Sequence, residues 1–291
     1  MTDRLALIAG SRAYDLVREG KLTTGQLAPR QTPYGPSSPM GTVQLAGEEV
    51  VFLSRHGATG YELAAPFVNY RANIYALKDA GVTRTIAWSG PGAVDPELEL
   101  GQFAVPDDLL DETRRRPSTF FEGTGLGFIR SYPLFCPQLA GALEAAARAS
   151  GRAVRGGLTY VCTEGPRLET AAEIRMYASC GAHLVGMTLA PEVFLARELE
   201  MCYGALCYVS NYAEGVREAG YQPGELFEGM ISQAERWHID ETLALFPKVI
   251  AGALKHLRET PRTCHCHETM KRYKLRGDIG DDWKQWLSKP S

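Results

Sequence analysis

The segment Val50-Val51-Phe52-Leu53-Ser54-Arg55-His56-Gly57 is an apolar run of strand length that exits into a hydroxyl, a cation, an imidazole and a glycine. The same texture recurs to either side. Leu5–Ala9 precedes Gly10–Ser11, Thr85–Trp88 precedes Ser89–Gly90, and His183–Met187 precedes Thr188, while Leu158–Cys162 and Ala205–Ser210 are further strand candidates. Amphipathic stretches separate them. Pro66–Ala80 sets Phe67, Tyr70, Ile74 and Leu77 on one helical face and closes at Gly81. Gln138–Ser150 and Thr170–Cys180 read likewise. Glu225–Glu259 reads as a long helical region interrupted near Pro247, because proline lacks the donor that an interior turn requires. This alternation predicts an α/β fold with a mainly parallel or mixed sheet. At 291 residues, two domains or one large decorated unit both fit.

The charge balance of 31 basic against 34 acidic side chains, a net −3, provides no global basic field for a nucleic acid backbone. Nor is there the charge excess of a disordered chain. No nucleic acid partner is expected. Met1–Gly10 carries only the short apolar run Leu5–Ala9, far less than a signal-peptide core or the roughly 20 residues of a membrane span, so no membrane partner and a cytoplasmic location are expected. The seven cysteines, an odd number, lie mostly in apolar strings such as Leu206-Cys207-Tyr208, which fits a reducing compartment better than a disulfide framework.

In an open α/β sheet ligands bind where strands end, so the residues after each strand candidate are the first to weigh. Gly10–Ser11, Arg55-His56-Gly57, Ser89–Gly90 and Thr188 share a theme. Hydroxyls, small residues that bare backbone donors, and one guanidinium suit an anion that offers mainly acceptors, so the set reads as an oxyanion or phosphate site. Each element alone is an ordinary turn or surface pair; their recurrence carries the reading.

Arg55-His56-Gly57, Val68–Lys78 (VNYRANIYALK), Thr163-Glu164-Gly165-Pro166-Arg167, Gly186-Met187-Thr188 and Pro191-Glu192-Val193 resemble, in order, the trimeric nucleoside phosphorylase family. That family includes methylthioadenosine phosphorylase and the low-molecular-mass purine nucleoside phosphorylases. The resemblance runs from about Leu5 to about Leu257. It implies a single-domain α/β nucleoside phosphorylase-like fold over residues 1–259, with a central mixed β-sheet flanked by helices. It further implies a homotrimer, and phosphorolysis of the bond between a purine and a ribose with inorganic phosphate as co-substrate and no metal or organic cofactor. By position, the phosphate site falls on Ser11, Arg55, His56, Ser89, Gly90 and Thr188, and the ribose contact on Met187. Leu168 joins the ribose and base pocket, and Phe128, in Gly127–Tyr132, stands on the stretch that reaches into a neighbouring subunit's site.

The base pocket departs from the methylthioadenosine enzymes, which place aspartates after the last strand; here the segment reads Ser210-Asn211-Tyr212-Ala213. A 6-aminopurine presents a donor at its 6-substituent and an acceptor at N1, whereas a 6-oxopurine presents the reverse. The Asn211 amide can donate to O6 and accept at a protonated N7, and the Glu169 carboxylate can accept from N1–H. The string Leu168-Glu169-Thr170 is similar to the Phe-Glu-Thr string of the 6-oxopurine enzymes. The expected substrates are therefore inosine, guanosine or methylthioinosine. Methylthioadenosine phosphorylase is the alternative. A non-catalytic nucleoside-binding homologue is the second, suggested by the altered loops at Ile8–Arg12 and Ser89–Ala93. Glu214–Tyr221 is the expected wall or lid.

Residues 260–291 read as a tail docking on the body or on a neighbouring subunit, with Trp283 and Trp286 on one helical turn. Its Cys264, His265, Cys266 and His267 are metal-ligating types, but they are packed too closely for all four to close on one tetrahedral ion, so no metal site is expected. His183 and His238 read as structural.

Overall fold

The structure is a computed structural model of the 291-residue chain. It describes residues 3–45, 47–217, 223–224, 226 and 231–287. The strands are β1 (Leu5–Ala9), β2 (Gln31–Thr32), β3 (Gly35–Pro36), β4 (Met40–Leu45), β5 (Glu48–Ser54), β6 (Arg84–Ser89), β7 (Gly92–Ala93), β8 (Phe103–Glu112), β9 (Val154–Thr163), β10 (Leu184–Gly186), β11 (Cys202–Tyr208) and β12 (Asn211–Tyr212). The helices are α1 (Ser11–Arg18), α2 (Tyr70–Asp79), α3 (Pro137–Ala149), α4 (Ala171–Ser179), α5 (Glu192–Glu198), α6 (Gln233–Glu259) and α7 (Lys271–Arg276).

Ten strands form one sheet in the order β12-β7-β10-β9-β8-β11-β6-β1-β5-β4, with β2 and β3 as a separate ribbon. The sheet is mixed. β1 is parallel to β5 and β6, and β11 is parallel to β6. β8, β9 and β10 run parallel to one another, joined to the first group through the antiparallel pair β8 and β11. Strands at the centre are buried on both faces, which is why β1 and β11 are continuous apolar strings without alternation and β6 is buried along its whole length. One face packs on α2 and α5 through Ile74, Leu77, Val193 and Leu195; the other packs on α3 and α6 through Leu139, Leu143, Phe246 and Ile250. Trp88 stacks on Phe246 at a centroid distance of 3.8 Å.

The α/β class and mixed sheet agree with the sequence reading, with two corrections. Helix α6 runs unbroken through Pro247. Its cost, the lost donor to the Leu243 carbonyl, is offset by the row Phe246, Val249, Ile250, Ala253 and Leu254 buried against the sheet and α3, and by a capping box of Ser232 and Glu235 at its start. The part of the expected helix before residue 231 lies mostly outside the described residues, as does the end of the expected lid, residues 218–221. Helix α1 and strand β8 were not foreseen: Ser11–Arg18 carries three charges in eight residues, and β8 is interrupted by Pro106-Asp107-Asp108, where its register with β9 shifts.

Candidate active site

The ends of the neighbouring parallel strands β1, β5 and β6 lie side by side, and the residues beyond them form one wall of the candidate site. Gly10 is the N-cap of α1, with extended backbone and no side-chain cap, so the first amides of that helix are free to meet an anion at the positive end of the helix dipole. A Cβ on Gly10 would lie 2.8 Å from the Trp88 carbonyl oxygen, so only glycine lets β1 and β6 close this tightly. Ser11, half-buried, opens the helix. At the end of β6, the buried Ser89 hydroxyl stands 3.4 Å from Thr188 Oγ1 and 3.4 Å from the Tyr160 hydroxyl. Burial drives the Tyr160 pKa upward, so this cluster of three hydroxyls stays protonated. Gly90 follows, exposed.

Arg55 lies behind this wall rather than open to it. Its side chain is fully buried, with Nε donating to Glu192 Oε1 at 2.5 Å, Nη2 to Glu192 Oε2 at 3.0 Å and Nη1 to the Trp88 carbonyl at 3.3 Å. Tyr203 donates its hydroxyl to Glu192 Oε2 at 2.7 Å. Burial alone would depress the guanidinium pKa, but the Glu192 charge and hydrogen bonds more than offset it and hold the cation firmly. Nη1 would sit 3.8 Å from a Cβ on Gly10, so the one nitrogen not engaged by Glu192 faces the glycine turn.

His56 is buried beside it. Its Nδ1 lies 2.8 Å from the Leu63 carbonyl, so Nδ1 carries the proton and Nε2 is left as an acceptor. Burial, joined by the Arg55 charge, lowers its pKa to about 4 against the pull of the Leu63 carbonyl. The imidazole is neutral throughout the physiological range.

Met187 follows β10 and leans over Gly165, whose φ of +69° and lack of a side chain are both needed: a Cβ there would meet the Met187 sulfur at 2.5 Å. Arg116 braces this loop pair. Its Nη1 donates to the Met187 and Ala190 carbonyls at 2.6 and 2.8 Å, and its Nη2 to the Glu164 carbonyl at 2.7 Å. The guanidinium also lies over the Tyr70 ring, 5.2 Å from its centre.

The opposite wall comes from β12 and the segment after β9. Asn211 is buried; its Oδ1 accepts from the Ser210 hydroxyl at 2.7 Å, and its Nδ2 donates to the Tyr212 carbonyl at 2.9 Å, leaving one amide proton uncommitted. The Ser210 hydroxyl also lies 3.0 Å from the Gly90 carbonyl, tying this wall to the end of β6. Glu169, half-buried ahead of α4, accepts from the Thr163 hydroxyl. Ala213 and Val216 pack with Ile174 and Tyr177 of α4, which joins the Asn211 segment to the helix that follows Glu169.

The sequence-derived residues thus gather as follows. Ser89 and Thr188 meet, Gly10 and Ser11 lie against the Arg55 side of β6, Gly90 meets the Asn211 wall through Ser210, and Met187 lies on the Thr163–Gly165 loop. Leu168 is on the surface at 38% exposure, and Phe128 is 82% exposed and away from the others, its amide donating to the Tyr273 hydroxyl at 2.9 Å. Two side chains were missed. Glu192 sits in a quoted motif without a role, and Arg116 was hidden in the run Arg114-Arg115-Arg116, which reads as a solvated patch.

The phosphorylase superfamily profile matches residues 4–237. The chain belongs to this superfamily. It is 40% identical over 276 residues to the 6-oxopurine nucleoside phosphorylase of Pyrococcus furiosus, spanning 92% of this chain and 98% of that one. It is 39% identical over 268 residues to a probable S-methyl-5'-thioinosine phosphorylase of Methanothermobacter thermautotrophicus, spanning 92% and 89%. Among solved structures it resembles a methylthioadenosine phosphorylase from an antarctic soil metagenomic library, with TM-score 0.81, 28% identity and coverage of 98% and 97%. Family and fold agree with the expectations from sequence, and the superfamily's phosphorylase chemistry makes the chain an enzyme. Among the described residues no helix is long and apolar enough to cross a membrane.

Proposed function

We propose that this phosphorylase cleaves the N-glycosidic bond of a 6-oxopurine nucleoside or its 5'-methylthio analogue, giving free base and (5-methylthio)ribose 1-phosphate. The observation that carries this reading is the buried Asn211, where β12 presents an amide rather than a carboxylate and Ser210 holds its Oδ1. Ser210 donating to Oδ1 turns Nδ2 into the available group, a donor suited to O6 and mismatched with an exocyclic amine. Glu169, as a carboxylate, accepts from N1–H. The names of both curated relatives, one a 6-oxopurine and the other a thioinosine enzyme, support the same base.

In the proposed reaction phosphate attacks C1′ as the bond to the purine nitrogen breaks through a cation-like ribosyl transition state. The bonding pair leaves with the purine; the Asn211 amide donates to O6 as the charge builds, and the proton of the hydrogen phosphate dianion passes through solvent to N7 to give the neutral base. The Ser11 and Gly10 end of α1, Ser89, Gly90 and Thr188 hold the phosphate, and Met187 encloses the sugar. Arg55 supplies positive potential from behind the glycine turn, and neutral His56 offers Nε2 to the one hydroxyl of a phosphate dianion. Positioning and electrostatics then carry the catalysis, and phosphate is the co-substrate with no further group in the chemistry. We also propose a homotrimer in the cytoplasm, with residues 1–259 as the phosphorylase unit and 260–291 as a docked tail. The exposure of Phe128 and Tyr132, each 82%, supports a neighbouring subunit covering that segment.

The test is phosphate-dependent release of base from inosine, guanosine, adenosine, methylthioinosine and methylthioadenosine. Turnover of the 6-oxopurine compounds and not the adenine ones is expected, and the 5' preference is read from the same series. Preference for methylthioadenosine would overturn the base assignment, and no turnover would leave a nucleoside-binding homologue.

A further inference from the structure

Of the four tail residues Cys264, His265, Cys266 and His267, only the two cysteines turn inward; the side chain of His265 is exposed and pairs with Glu268. The cysteines meet two others far away in sequence. Cys136 is the N-cap of α3, tied to β11 by its amide donating to the Tyr203 carbonyl at 2.8 Å, and Cys202 is the first residue of β11. All four side chains are buried, and the four sulfurs lie within 4.8 Å of one another, with Cys202 and Cys264 Sγ 3.4 Å apart. We propose that Cys136, Cys202, Cys264 and Cys266 form a structural tetrathiolate site for a soft, tetrahedral divalent cation, zinc foremost.

The geometry fits closely. Zinc at about 2.3 Å from each sulfur of a regular tetrahedron sets the sulfurs about 3.8 Å apart, inside the range found here. One disulfide would use two of these sulfurs and give no reason for the other two to converge on them. The charge also fits. Arg262 aims Nη2 at Cys202 Sγ, 3.2 Å away, and Nε at Cys264 Sγ, 3.5 Å away. A guanidinium gains little from neutral thiols, but it meets a real need beside a tetrathiolate centre of net charge −2. On binding, the four thiols release four protons to solvent, four S–Zn bonds form, and no electron is transferred.

The site would act as a clamp. It joins the segment beyond α6 to the starts of α3 and β11, and so fixes the tail that follows. That tail supplies Met270, Tyr273 and Trp286 to a cluster with Phe121, and Tyr273 holds the Phe128 amide. Metal at the cysteines would therefore order the Phe121–Phe128 segment from a distance.

The full chain, purified with neither chelator nor a metal-binding tag, is assayed for zinc and for free thiols, then stripped and titrated anaerobically with cobalt(II). About one zinc per chain, seven thiols on denaturation with chelator, and the intense visible bands of tetrahedral cobalt thiolate are expected. The C266S variant loses those bands, whereas C180S, at an exposed cysteine outside the cluster, retains them. If C266S does not fold, the cobalt spectrum of the unmodified chain still decides. Seven free thiols with neither zinc nor a cobalt spectrum would overturn the proposal in favour of an apolar thiol cluster, and five thiols or fewer in favour of disulfides. The outcome is independent of the nucleoside assignment.

Discussion

Beside the ends of β1 and β6, on the side proposed for phosphate, a full cation is buried and locked: two nitrogens of Arg55 lie on Glu192, and Tyr203 donates to the same carboxylate. On the side proposed for the base stands a neutral amide, Asn211, held by one hydroxyl and one carbonyl. The contrast explains where such a protein can vary. A buried ion pair must be kept whole, because removing one partner strands a charge away from water. The amide at the sheet edge carries no charge, so exchanging it strands no counter-ion, although a carboxylate there would lose the bond to the Tyr212 carbonyl. In the proposed reading, the half assigned to phosphate resists substitution more strongly than the half assigned to the base.

Glu192→Gln attacks the locked side most directly. It leaves the Arg55 cation buried without its counter-charge and is expected to lower unfolding free energy by about 3–5 kcal/mol, read by denaturant titration. A loss below about 1 kcal/mol would mean that the pair is not a structural keystone. His56 sharpens the same side through pH. Its pKa falls from 6.5 unfolded to about 4 folded, so between those values the unfolded chain binds the extra proton and stability declines as pH falls. Relative to a His56→Asn variant, the wild type is expected to lose about 2 kcal/mol more between pH 7 and pH 5. Parallel pH profiles for the two proteins would refute a neutral buried imidazole.

The smallest effect is expected on the permissive side. Asn211→Asp replaces the donor to O6 by an acceptor for an exocyclic amine, and should move the inosine-to-adenosine ratio of kcat/KM roughly tenfold toward adenosine, about 1–1.5 kcal/mol. Its denaturation midpoint should fall, because the carboxylate oxygen that replaces Nδ2 faces the Tyr212 carbonyl in a buried position. An unchanged ratio would show that the base is read elsewhere.

The gathering of these strand-end residues was legible because they follow directly on apolar strands, and the local pattern of a strand ending in Gly-Ser, Arg-His-Gly or Ser-Gly is a short-range signal. Ser89 and Thr188, 99 positions apart, do meet. What could not be read was orientation. Arg55 was expected to face an anion, and its side chain is turned to Glu192, a partner 137 positions away. Arg116 was lost in a run of three arginines, since nothing local distinguishes the one that points inward. Strand β8 escaped notice because its second half, Pro106–Glu112, is polar and partly exposed, where sheet pairing rather than burial sets its conformation.

The sequence by itself determined the class of fold, the central strands β1, β5, β6, β9, β10 and β11, and the family. Each of these depends on periodicity or on motifs within a few residues, where steric and hydrophobic preferences act locally. Only the tertiary structure decided which charges pair, which amide proton is free, and that Cys264 and Cys266 join Cys136 and Cys202 rather than His265 and His267. The ion pair and the cysteine cluster depend on groups 60 to 140 positions apart being desolvated together, and desolvation is a property of the packed whole.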